Sequence, residues 1–102
     1  MINTMIFRGK HLSDAVDYVT KVLQECFESE DMFFDVRMHL SSKLIIDFGK
    51  KTEGIFETIT FDCMIRVDDS VFCYLSDKDF ERIDSLEEPV KNAILKLLQF
   101  NN

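Results

Sequence analysis

The chain has 102 residues, of which 46% are hydrophobic and 30% charged, with three glycines and one proline. That length supports a single domain over residues 1–102 with one core, and the composition excludes a disordered or collagen-like chain. A net charge of −7 argues against direct contact with nucleic acid or an anionic membrane, because both repel an acidic surface.

Residues 1–8 lack the basic stretch, apolar run and small-residue cleavage site of a secretory signal. No apolar run approaches the roughly 18 residues that span a bilayer, so a cytoplasmic protein is the expectation. Residues 2–8 suit an additional edge strand. Between residues 13 and 28, Ala15, Val16, Val19, Val22, Leu23, Cys26 and Phe27 recur at the three-four spacing of one apolar helical stripe. Asp14, Asp17, Lys21, Gln24, Glu25 and Glu28 fill the opposite side, and Ser13 stands where an N-cap is expected.

The pattern then changes to period two. Phe34, Val36, Met38 and Leu40 share one strand face; Leu44, Ile46 and Phe48 form a second. A longer strand places Ile55, Ile59, Phe61, Cys63, Ile65 and Val67 inward, with Glu57 breaking the row, and residues 71–75 supply a fourth. The connections at Ser41-Ser42-Lys43, residues 49–54 and Asp68-Asp69-Ser70 are too short for crossovers, so neighbours run antiparallel. Ser76-Asp77-Lys78-Asp79 caps a short helical turn reaching about Ile83. Ser85-Leu86-Glu87-Glu88 reads as a capping box with Pro89 in the first turn, followed by the stripe Leu86, Val90, Ala93, Ile94, Leu97 and Leu98. The expected fold is α+β: a two-layer sandwich of a four- to five-stranded antiparallel meander, with an N-terminal and a C-terminal amphipathic helix on one face.

Cys26, Cys63 and Cys73 fall on apolar faces and show neither CxxC nor Cys/His ligand spacing. They read as reduced, buried thiols rather than zinc ligands or disulfide partners. Asp77, Asp79, Glu81 and Glu88 occupy positions one, three, five and twelve of an EF-hand-like frame, but Arg82 stands where the turn glycine is required. Helix capping explains those acids better. His11 has no ligand at helical or strand spacing, and Asp14 is its local hydrogen-bond partner. No metal or cofactor is expected.

Strand residues out of phase with the core would line the second sheet face. Phe33, Phe56, Phe72 and Tyr74, with Ile45 and Met64, could form an apolar patch on the order of several hundred Å², the size that marks interaction sites. Residues 2–7 or 77–83 folding over this face is the rival explanation. Asp35, Arg37, His39 and Asp47 bring a histidine beside carboxylates, the ingredients of a general base. A flat face lacks the concavity that catalysis needs, and cross-strand ion pairing accounts for the same residues. Between Asp62 and Glu88 nine acids stand against three bases, so most of the net charge is local.

These features favour a small, acidic, non-enzymatic protein-binding domain of inhibitor, immunity or adaptor type, whose partner is basic and in one version itself binds nucleic acid. Its contacts would be Phe33, Ile45, Phe56, Met64, Phe72 and Tyr74, with Asp62, Asp68 and Asp69. One alternative is a ligand-binding or catalytic domain with a pocket between helices and sheet. Another is a structural subunit of a homo-oligomer, a homodimer through this face included.

Overall fold

The alternating segments become strands and the three-four segments become helices. In the computed structural model, which describes residues 4–8, 11–27, 31–40, 42–68 and 70–99, five strands are resolved in chain order. They are β1 (Thr4–Arg8), β2 (Met32–His39), β3 (Lys43–Lys50), β4 (Gly54–Ile65) and β5 (Ser70–Leu75). They form one sheet in the order β1-β5-β4-β3-β2, with every neighbouring pair antiparallel. Helix α1 (Ser13–Cys26) precedes the meander; α2 (Asp77–Glu81), a 3-10 turn at Ile83–Ser85 and α3 (Glu88–Gln99) follow it.

One core joins these elements. Ala15, Val19, Val22 and Leu23 of α1 and Val90, Ala93, Ile94 and Leu97 of α3 are buried together with Leu44, Ile46, Phe48, Ile59, Phe61, Val71, Cys73 and Leu75 of the sheet. A helix as short as α1 is marginal alone in water. Burying its stripe and Phe27 contributes a gross stabilisation on the order of 10 kcal/mol, which holds it in place. No helix among the described residues is long and apolar enough to cross a membrane.

Several local expectations need correction. Ser13 lies inside α1 and makes no cap: Leu12 is the N-cap, and the Asp14 carboxylate reaches back to accept the His11 backbone N–H at 3.1 Å. The capping box at Ser85 does not form either. Ser85 belongs to the 3-10 turn, and its hydroxyl donates to the Arg82 carbonyl at 2.7 Å. Leu40 leaves the inward row of β2 because the chain turns there with φ 54°, and it is 81% exposed. Ile65 and Val67 are exposed as well. β3 begins at Lys43 opposite Asp62, and Ser42 still accepts the Cys63 N–H at 2.7 Å, so beyond Cys63 the end of β4 pairs with β5 alone and projects past the core.

The larger correction concerns the start of β4. Phe48 pairs with Glu57, but Gly49 pairs with Ile55, so Phe56 is an extra residue in a β-bulge. The bulge reverses the expected phase. Ile55 is exposed, while Phe56 packs against the core beneath the Lys50 ammonium, 5.1 Å from its ring centre. Lys50 is in turn paired with Glu87, at 3.1 Å, just before α3.

Glu57, the residue that broke the apolar row, is explained by α2. β5 pairs with β4 only as far back as Phe61, which leaves the edge of β4 at Thr58 and Thr60 without a strand. Side chains and one amide substitute for it. The Thr60 N–H donates to Asp79 Oδ2 (2.9 Å), the Thr60 carbonyl accepts from the Ser76 N–H (3.0 Å), and the Thr58 carbonyl accepts from Arg82 Nη2 (3.1 Å). Arg82 also grips both oxygens of Glu57, at 3.0 and 2.6 Å, and Asp79 Oδ1 at 3.0 Å. These contacts raise the guanidinium pKa, with the Glu57 hydrogen bonds the largest cause.

Candidate interaction face

Alternation along β2 to β5 carries one set of side chains away from the core, and register decides which of them meet. Phe33 lies opposite Gly49, and a Cβ at Gly49 would run into its ring. A side chain at this position would have to push the Phe33 ring aside. Arg37 stands opposite Ile45, Asp35 opposite Asp47, and Asp47 opposite Thr58. Arg37 donates to the Asp47 carboxylate and lies 3.6 Å from Asp35; the Thr58 hydroxyl donates to Asp47 at 2.7 Å. Burial pushes the Asp47 carboxyl up, but the Thr58 hydrogen bond and Arg37 outweigh it and hold the group below the usual carboxylate range. Next along the face, Lys43 pairs with Asp62 at 3.1 Å.

The half of the face on β4 and β5 is different in kind. Met64 lies opposite Phe72 and Asp62 opposite Tyr74, and the Phe72 and Tyr74 rings pack at 5.8 Å with a 53° tilt. Met64 is exposed, and Phe72 and Tyr74 are half-buried. Ile65 and Val67 are exposed on the opposite, core-facing side of β4, where the hairpin projects past the helices, and Asp68 is exposed at the hairpin end.

The expected contact residues thus separate. Met64, Phe72, Tyr74 and Asp62 come together. Ile45 sits half-buried beside the ion pairs, and Phe33 is committed to Gly49. Phe56 is on the other side of the sheet, carried there by the bulge. Asp69 lies outside the described residues. Neither expected cover is visible as such: β1 extends the sheet beside β5, and α2 seals the edge of β4.

Among the described residues two depressions bear on ligand binding, one at the edge of the sheet and one between the helices. One, of about 630 Å³, lies where β5 stops short and is lined by Lys43, Thr58, Thr60, Ser76, Lys78, Asp79 and Arg82. Its polar lining escaped sequence reasoning, although Glu57 in an apolar row and Arg82 three residues after Asp79 were available signals. The other, of about 330 Å³, is lined by Cys26 and Phe27 at the end of α1 and by Glu88, Pro89, Asn92, Ala93 and Lys96 of α3. Asp77, Asp79 and Glu81 lie on α2, and among the described residues no three His, Cys, Asp or Glu side chains are grouped to hold a metal.

Cys63 and Cys73 face each other across β4 and β5 as buried free thiols. Their mutual hydrogen bond and burial push the Cys73 thiol up. Cys26 is only partly buried, contrary to expectation. Comparison of the chain with protein-family models, curated proteins and solved structures finds no match.

Proposed function

We propose that the chain is a small acidic, non-enzymatic domain of inhibitor, immunity or adaptor type, which occupies a basic protein partner without touching nucleic acid itself. In this reading the molecule is a two-layer sandwich. Its helices close one face of the sheet, and the β4–β5 half of the other face receives the partner. Its setting is the cytoplasm, where three free thiols stay reduced.

The observation that carries the reading is the Met64–Phe72–Tyr74 patch, with Asp62 beside it and Asp68 at the hairpin end. Apolar anchors rimmed by charge are the usual anatomy of a contact surface, the charge steering encounter and the aromatics supplying affinity. The test is capture from native extract by the parent and by a Met64→Ser, Tyr74→Ser double variant. A basic protein held in stoichiometric amount by the parent and lost by the folded variant is the expected result. Equal capture by both would remove this face from the function.

A further inference from the structure

We propose that the outer edge of β2 pairs with the same edge of a second copy across a two-fold axis at Val36, joining two sheets into one. This goes beyond the reading above and uses the opposite margin of the sheet.

β2 is terminal in the strand order. Which of its backbone groups point outward follows from the ladder. The Lys51 N–H donates to the Asp31 carbonyl, so odd-numbered residues of this strand bond toward β3. The Ser76-to-Thr60 bond sets the same phase independently, by directing even residues of β4 away from β3. Phe34, Val36 and Met38 therefore turn their N–H and C=O groups to the open side. Among the described residues no backbone hydrogen bond reaches that side of β2.

Exposed edges are usually blunted by proline, lysine, a bulge or shortness. β2 is eight residues long, MFFDVRMH, without proline, lysine or a bulge, and its two charges, Asp35 and Arg37, are opposite in sign. Its sequence is instead complementary to itself. With the axis at Val36, Phe34 meets Met38 of the second copy and Val36 meets Val36, all at positions whose backbone groups are available. On the outer face Asp35 then meets Arg37 of the second copy, and Arg37 meets Asp35, at the closer, non-hydrogen-bonded positions. The Asp35 and Arg37 side chains are 65% and 48% exposed, so both are accessible. On the inner face Phe34, Val36 and Met38 are only partly buried at the margin of the core, and the second copy completes their cover. Moving the axis to Phe34 sets Asp35 against Phe33, and an odd shift in register turns inward residues outward. The other edge, β1, is five residues long with one charged residue, so it cannot pair opposite charges with itself. A two-fold contact of this kind closes on itself and leaves neither β2 edge open.

The experiment combines sedimentation equilibrium with amide hydrogen exchange of the full chain over a range of concentrations. The expected result is a monomer–dimer equilibrium in which the amides of Phe34, Val36 and Met38 slow as the dimer forms. Those of Asp35 and Arg37, already bonded to β3, do not change. Asp35→Lys should raise the dissociation constant by about tenfold, because like charges then meet across the axis. Val36→Pro should give a folded monomer, since the lost N–H serves no bond within the chain. If Val36→Pro fails to fold, Asp35→Lys decides. A chain that stays monomeric throughout, a dimer without protection at these three amides, or an unweakened Asp35→Lys dimer overturns the proposal.

Discussion

Replacing Arg82 with methionine tests how the edge of β4 is sealed. The methionine retains most of the aliphatic stem and removes the charge. Lost with it are two bonds to Glu57, one to Asp79 and one to the Thr58 carbonyl. The Asp79 and Glu57 side chains, 7% and 19% exposed, then lack a counter-charge. Removing one member of a fully buried ion pair costs about 3–5 kcal/mol, whereas exposed pairs are worth about 0–1. Arg82 is 34% exposed, and solvent screens part of the interaction, so a loss of about 2 kcal/mol is expected. In a domain of this size that lowers Tm by about 10 °C. The assay is thermal and urea unfolding followed by circular dichroism, with Glu57→Gln and the double variant completing a cycle whose coupling should be about 1 kcal/mol. An Arg82→Met protein melting within about 2 °C of the parent, with no coupling to Glu57, would show that these contacts do not hold α2 to the sheet.

Phe56→Ser should cost at least about 1.5 kcal/mol because the ring packs on the core, while Ile55→Ser should stay within about 0.5; the reverse order in urea unfolding would mean that the bulge is misplaced. Asp47 contributes through its lowered pKa, a contribution present above its unfolded value near about 4 and lost as pH falls through the folded value. The stability difference between the parent and Asp47→Asn should therefore be widest at neutral pH and close in acid, and a gap that is flat with pH would contradict this. In the folded protein a thiol reagent should modify Cys26 first and leave Cys63 and Cys73 unreacted until denaturation. Simultaneous modification of all three would contradict the burial of the facing pair.

The helices and the meander were legible because burial of one stripe or one face leaves a period in the chain, and α1, β2, β3 and β5 follow that period closely. Its failures have local causes. At Phe56 the bulge adds one residue, and alternation counted along the chain cannot register a residue that has no partner. Leu40 and Val67 match the apolar rows of their strands in type but stand at hairpin ends, where no second layer reaches them. Ser85 carries the letters of a capping box, yet a 3-10 turn takes its hydroxyl first. On the candidate face, alternation placed Met64, Phe72, Tyr74 and Asp62 together because they lie on regular parts of β4 and β5. The Arg82–Glu57 clasp joins residues 25 positions apart, and no local pattern encodes such a pairing.

The sealing of β4 by α2 also sets an order of events during synthesis. Thr58 and Thr60 leave the ribosome well before Asp79 and Arg82, so the meander can assemble while part of its β4 edge is still open. Until α2 is made and docks, that stretch can template pairing with another chain. A full-length Asp79→Ala, Arg82→Met variant should therefore aggregate during refolding where the parent does not. The short helix, with Asp79 within it and Arg82 at its C-cap, is, in that sense, the last stitch of the sheet.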